Sequence, residues 1–374
     1  MKFLRLAFYV LIAQLVLSGC AGEGVEETSS SSSSEITFDA YVGRNASTRS
    51  SETDMTSLKG GIWNAGFGVF ARYGNTHLMD TEHVTWRGDH WGYDHIRFWP
   101  SAGSVDFYAF APYSPYVTMG CLPDSLADKA DINSKDTYID FPSNMSPVDL
   151  IWANQPDQTA PTSPDSKVQF QFKHALARLS FDITAKQELE KNGAVITVKE
   201  VKLYGASETS GIFRMAGYLN LKTGAWRPYD NGARWFYTWT PDGKVEDKGE
   251  LKKPEEDKNS IIYKLSVPPQ LDYKTPSVTN DKDSYIFIIP QPKPDYFNLK
   301  ITYTVKQGDL EEKVTVKKNL LEVLDLSETS NKSFTFEGGK AYVFHLILSL
   351  DPIDFKVTPT VNEWGPGDDK TMPL

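Results

Sequence analysis

The sequence predicts an all-β protein built as two tandem β-sandwich domains, and three observations carry that prediction. Apolar residues recur at every second position in segment after segment. Proline and glycine punctuate most windows in which a helix could form. About 340 residues remain beyond an N-terminal tail, which suits two domains by ordinary domain size. The first alternating segment is Ile36, Phe38 and Ala40, followed by Val168, Phe170 and Phe172, by Leu179, Phe181 and Ile183, and by a looser run at Val195, Val198 and Val201. Leu299, Ile301, Tyr303 and Val305 lead through Gln307-Gly308-Asp309 into Val314 and Val316, the pattern of a hairpin. Tyr342, Phe344, Leu346, Leu348 and Leu350 line a long strand, and Ile353, Phe355 and Val357 begin another after Asp351-Pro352. One buried face with period two implies antiparallel sheets. Helix is expected only as short turns, at Thr184 to Gly193 and at Asn319 to Leu326. A Pro- and Asp-containing loop from Gln155 to Lys167, then the strand Val168 to Phe172, places the boundary between domains 35–173 and 174–374.

The N-terminus reads as an export signal. Lys2 and Arg5 precede the apolar run Leu6 to Leu17, which is too short to span a bilayer, and Leu17-Ser18-Gly19-Cys20 has the form of a lipobox. Residues 1–19 are expected to be removed and Cys20 to carry lipid, tethering the protein to the outer membrane. Residues 20–34, with the unbroken serine run Ser29 to Ser34, cannot bury enough apolar surface to offset ordering entropy and read as a flexible tether. Glu23, Glu26 and Glu27 loosely resemble the surface-export signal of Bacteroidetes lipoproteins. Beyond this leader no second run of about 20 apolar residues occurs, so the chain is expected to be anchored rather than embedded.

Composition narrows the function. The net charge of −10 and the lack of a basic cluster with interleaved aromatics argue against nucleic acid as a partner. If Cys20 carries lipid, Cys121 has no internal disulfide partner, so the fold must stand on its core. No His-Glu-x-x-His or Gly-x-Ser-x-Gly appears, and neither enzyme activity nor a cofactor is expected. His77, His83, His90 and His95 with Asp80, Asp89 and Asp94 fit no metal-ligand spacing, so no metal site is expected there either. The segment Gly217 to Pro254 lacks clear alternation and reads as an insertion or long loop. Its aromatics Trp226, Trp235, Tyr237 and Trp239 are candidate contacts for a glycan or other ligand of host or microbial origin.

A longer series of markers runs through both domains. Phe67-Gly68-Val69-Phe70-Ala71-Arg72-Tyr73 is followed by Trp86, Trp91-Gly92-Tyr93, Phe98-Trp99-Pro100 and Val105-Asp106-Phe107-Tyr108-Ala109-Phe110-Ala111-Pro112-Tyr113. Then come Asp149-Leu150-Ile151-Trp152-Ala153, Phe170 to Leu179 with His174 inside it, Ile288-Ile289-Pro290-Gln291, and Gly339-Lys340-Ala341-Tyr342 through Trp364. In order and spacing this series resembles the fimbrillin family, subunits of type V pili, over nearly the whole mature chain. Physically the markers are packing elements: aromatic alternation closed by proline, a buried Ile-Ile strand, and a lone histidine held by a local hydrogen bond.

The resemblance implies two transthyretin-like (Ig-like) sandwiches, export as a lipoprotein, and assembly with other fimbrial subunits by donor-strand exchange. A trypsin-like protease would cut after Arg49, or after Arg44, releasing the strand that contains Ile36, Phe38 and Ala40. The groove left behind would be filled by a strand of the next subunit, which for this chain would have to come from Ile353 to Val361. Stalk, anchor and tip positions remain open, and a glycan-binding surface lipoprotein that does not polymerise is the alternative.

Overall fold

Alternation becomes strand throughout the chain. The computed structural model describes residues 34–43, 53–62, 65–122, 137–141, 149–163, 165–185, 193–214, 216–229, 234–240, 260–266, 270–271, 277–278, 285–324, 334–348, 356–363 and 372–373. The N-terminal half supplies β1 (Phe38–Val42), β2 (Phe67–Tyr73), β3 (Thr76–Trp86), β4 (Trp91–Gly92), β5 (Val105–Ala111), β6 (Met119–Gly120), β7 (Tyr138–Phe141), β8 (Ile151–Gln158) and β9 (Val168–His174). A single helical turn, α1 (Met55–Leu58), follows β1 and is closed by a reciprocal cap between Asp54 and Ser57. The principal sheet runs β1-β9-β8-β5-β2-β3-β4, with β1 parallel to β9 and the other pairs antiparallel.

The middle strand of this sheet is buried on both faces. Val105, Phe107, Ala109 and Ala111 of β5 enter one core with Phe38, Phe67, Phe170 and Trp91. Tyr108 and Phe110 enter a second core with Phe70, Trp152 and Ile139. Sequence alternation predicts rings on one face and small residues on the other. The structure instead seats rings on both, because a second sheet covers the outer face. The loop expected to begin at Gln155 begins later, since β8 continues to Gln158 despite its polar residues. Its Asn154 side chain donates to the carbonyls of Leu221 and Lys222, at 3.0 and 2.6 Å, which gives the amide a reason to sit in a strand.

The C-terminal half supplies β10 (Ala177–Ala185), β11 (Val195–Tyr204), β12 (Phe213–Arg214), β13 (Gly217–Asn220), β14 (Trp226–Pro228), β15 (Arg234–Thr240), β16 (Ser260–Ser266), β17 (Gln270–Leu271), β18 (Ser277–Val278), β19 (Tyr285–Ile288), β20 (Gln291–Pro292), β21 (Asn298–Gln307), β22 (Leu310–Asn319), β23 (Thr335–Phe336), β24 (Lys340–Leu348), β25 (Lys356–Glu363) and β26 (Met372–Pro373). The β21–β22 hairpin forms as the alternation predicts, with Gly308 at φ 61° in its turn. Asn319 then caps α2 (Leu320–Val323), accepting from the Leu321 N–H. At the other expected turn of helix, Thr184 and Ala185 belong to β10, and 186–192 lie outside the described residues. The segment expected to be a long insertion carries β13, β14 and β15 over its described part.

Two sheets enclose the third core: β18-β10-β24-β25-β26, and β12-β15-β11-β21-β22 with β16 on β15 and β17 on β11. Leu179, Ile183, Val201, Leu203, Ile301, Tyr303, Phe344 and Leu346 fill it. In this half too the first strand, β10, runs parallel to a late one, β24. The second core is covered by the sheet β14-β13-β7-β6, whose strands come from both sides of position 173. Gly217 to Asn220 pair in register with Phe141 to Tyr138.

Candidate functional site: the first strand and its anchorage

Period two decides what β1 buries. Ile36, Phe38, Ala40 and Val42 are 0%, 1%, 8% and 4% exposed, whereas Tyr41 between them stands 51% exposed. The Phe38 ring meets Tyr93, Phe107 and Phe170 at centroid distances of 5.6, 5.8 and 5.7 Å. Main-chain pairing along β9 runs from Phe38 opposite Val168 to Val42 opposite Phe172. On its other side the sheet curls until the residues after β4 reach the start of β1. The Ile36 N–H donates to Arg97 O at 2.9 Å, and the Trp99 N–H donates to Ser34 O at 3.0 Å. The Tyr93 hydroxyl donates to Ile36 O at 2.7 Å, and burial pushes its pKa up to about 12, so the donor proton stays in place across the physiological range. Thus β1 closes a curled sheet, with a full ladder on one edge and a short bridge at its N-terminal end on the other.

Arg44 and Arg49, the candidate cut sites, and Cys20, the candidate lipid site, lie outside the described residues. The chain is described again at Thr53, and there it is held firmly. The Thr53 N–H donates to Asp149 Oδ2 at 2.8 Å, and its hydroxyl donates to Asp149 O at 2.5 Å. Asp149 is fully buried, and its Oδ1 lies 3.0 Å from His174 Nδ1. A buried carboxylate is tolerated only where donors meet it, and here two do. His174, expected to be a locally bonded residue at a turn or strand start, stands at the end of β9. The α1 turn then buries Leu58, and Met55 Sδ accepts from the Val42 N–H at 3.3 Å. Sequence reading missed Tyr93, Arg97 and the Asp149 anchor as parts of one site. An acidic residue leading directly into the apolar run Leu150-Ile151-Trp152-Ala153 was the available signal.

The other candidate residues are dispersed. Trp226 is 8% exposed, donates from Nε1 to Ala175 O at 2.8 Å and packs edge-on against Phe141, so its ring is a packing element of the shared core. Trp235, Tyr237 and Trp239 occupy alternate positions of β15, opposite Phe213, Leu203 and Val201. The histidines are paired separately: His77 with Asp80, His90 with Asp89, His95 with Glu82, and His83 stacked on Tyr113. Among the described residues no group of three His, Cys, Asp or Glu is placed to hold a metal, and no helix is long and apolar enough to cross a membrane.

A short strand that closes a sheet over an aromatic core, followed by an anchored restart, is set in a chain where many of the marker residues, among them Phe67, Trp91, Trp99, Phe107, Phe110 and Trp152, are buried in the cores. The sequence profile of the fimbrillin-like family matches residues 48–364. The chain belongs to the fimbrillin-like family. It is 26% identical over 390 residues to fimbrium subunit Fim1C of Phocaeicola vulgatus, an alignment covering 97% of each chain. A crystal structure of a fimbrial protein from Bacteroides vulgatus shares the fold, with a TM-score of 0.56 at 19% identity over 88% of this chain and 99% of that one. The family match and this relative place the chain in a family of fimbrial subunits.

Proposed function

We propose that this fimbrillin-like protein is a pilus subunit that polymerises by strand exchange once the segment after β1 is cut. The reading treats 35–173 and 174–374 as two transthyretin-like sandwiches joined through the β7–β13 pairing. A trypsin-like protease cuts after Arg49, with Arg44 as the second site, and frees β1 together with a lipid anchor at Cys20. A strand of the next subunit then takes the place between β9 and residues 97–99. The observation that carries this reading is the position of β1, an apolar strand laddered on one edge only and followed by a chain fixed independently at Thr53. Removing it leaves the rest of the fold its own attachments and uncovers unpaired backbone on β9, a template for β-augmentation. The family match starts at residue 48, downstream of β1, which agrees with a β1 that the assembled subunit does without. A donor from Ile353 to Val361 would have to leave the ladder that β25 makes with β24 and β26.

Purified lipid-free protein treated with a trypsin-like protease should acquire a new N-terminus at Ser50 and grow in light scattering and electron microscopy. The double variant Arg44→Ala with Arg49→Ala should remain monomeric under the same treatment. Wild-type protein cut at Ser50 that never assembles, even with partner subunits present, would remove the stalk role and favour an anchor, a tip adhesin or a glycan-binding lipoprotein. In cells, a fatty-acid probe should label the wild-type protein and not Cys20→Ala, and label retained by that variant would exclude lipid attachment at Cys20.

A further inference from the structure

The core that β1 seals holds two donors that meet no acceptor among the described residues. Trp91 and Trp99 are 4% and 5% exposed, and among the described residues the indole Nε1 of each has no hydrogen-bond partner. An indole N–H can only donate, and a buried donor left unmade typically costs a factor of about 5 to 150 in an equilibrium constant. Both residues belong to the surroundings of β1. The main chain of Trp99 bonds to Ser34, and its ring lies 5.6 Å from Phe107, which in turn packs on Phe38. The ring of Trp91 lies 5.1 Å from Phe67, which packs on Phe170, the residue stacked on Phe38. The inward side chains of β1 are Phe38, Ala40 and Val42, with Ile36 just ahead of the strand, and none of them can accept a hydrogen bond.

Resting on the exchange reading above, we propose that the strand replacing β1 in the fimbria carries an acceptor side chain at an inward position. A Ser or Thr hydroxyl, or an Asn or Gln carbonyl, meets the indole N–H of Trp91 or Trp99. The native strand β1 is then an imperfect occupant by construction. While its connection to Thr53 is intact, it competes at the effective concentration of a short tether, on the order of millimolar, and holds its place. Cutting the connection removes that advantage, and a strand that satisfies the indole outcompetes it. The proposal names a chemical requirement for the partner that apolar complementarity alone does not impose.

The test uses protein cut at Ser50, with the β1 fragment displaced in mild denaturant by synthetic Ser34–Val42 strands competing against a labelled wild-type strand. The strands carry Ile36→Thr, Ala40→Ser, Ala40→Asn or Val42→Thr. At least one acceptor-bearing strand should bind about tenfold more tightly than the wild-type strand. That gain should vanish in Trp99→Phe or in Trp91→Phe protein, which keeps an aromatic ring and lacks the N–H. Because the readout is the coupling between strand and protein substitutions, a general loss of packing in the Phe variants cancels. The proposal is overturned if no acceptor-bearing strand gains, or if the gain survives in both Phe variants. Cut protein that takes up the wild-type and substituted strands equally leaves exchange standing and overturns the acceptor requirement alone. Cut protein that takes up no strand at all, the wild-type one included, removes the exchange reading and this inference with it.

Discussion

Replacing His174 with alanine should lower the unfolding free energy by about 3–5 kcal/mol, read as an earlier denaturation midpoint in urea with an unchanged slope. The size follows from what remains. Asp149 is fully buried, and its carboxylate meets two donors, the Thr53 N–H and His174 Nδ1. Removing the imidazole leaves one carboxylate oxygen unpaired in a core that water does not reach, and the desolvation penalty of that charge is no longer offset. Asp149→Asn should lose less, about 1–3 kcal/mol, since the amide keeps the shape and one acceptor but sets an N–H against one of the two donors. If the two variants lose equally little, the carboxylate and the imidazole are adjacent without being coupled. A double-mutant cycle between His174→Ala and Asp149→Asn separates these cases.

Phe38→Ala should cost a similar amount, about 3–5 kcal/mol, by the usual penalty for emptying an aromatic site in a core. The ring touches three others, so its loss leaves a hole bounded by Tyr93, Phe107 and Phe170, which sit on three separate segments and cannot all collapse inward. Tyr41→Ala, on the exposed face of the same strand, should change stability by no more than about 0.5 kcal/mol. The contrast is the measurement that matters, because both substitutions remove an aromatic side chain from one five-residue strand. In protein cut at Ser50, Phe38→Ala should also speed release of the N-terminal fragment, and a release rate equal to wild type would mean that β1 is held by its backbone ladder alone.

What was legible in the sequence was local. Ile36, Phe38 and Ala40 face inward because period two leaves them no other choice once one face is buried. The turn at Gln307-Gly308-Asp309 and the Asn319 cap likewise announce themselves through neighbouring residues. What was not legible depends on partners far along the chain. Nothing near Phe38 says that its ladder partner is Val168 or that the two strands are parallel. Nothing near Tyr93 says that its hydroxyl will reach Ile36 O. The segment after Gly217 has weak alternation because Trp226 is buried through a different arrangement: its ring fills the shared core while its N–H reaches Ala175 O. Asp149 and His174 were visible as letters of a family pattern, but their meeting requires β8 to lie antiparallel beside β9, with Ile151 opposite His174.

The sheet β14-β13-β7-β6 has a mechanical consequence. Domains joined by a linker swing, and a chain of such subunits bends at every link. Here four residues of β13 are zipped to four of β7 across the two halves, and the Leu221–Ala225 turn rests against Trp152, where an added Cβ at Gly224 would come within 2.3 Å of the ring. Pull on one half reaches the other through hydrogen bonds side by side and a packed ring, not through one flexible connection. The two halves would then move together under load instead of swinging about a hinge.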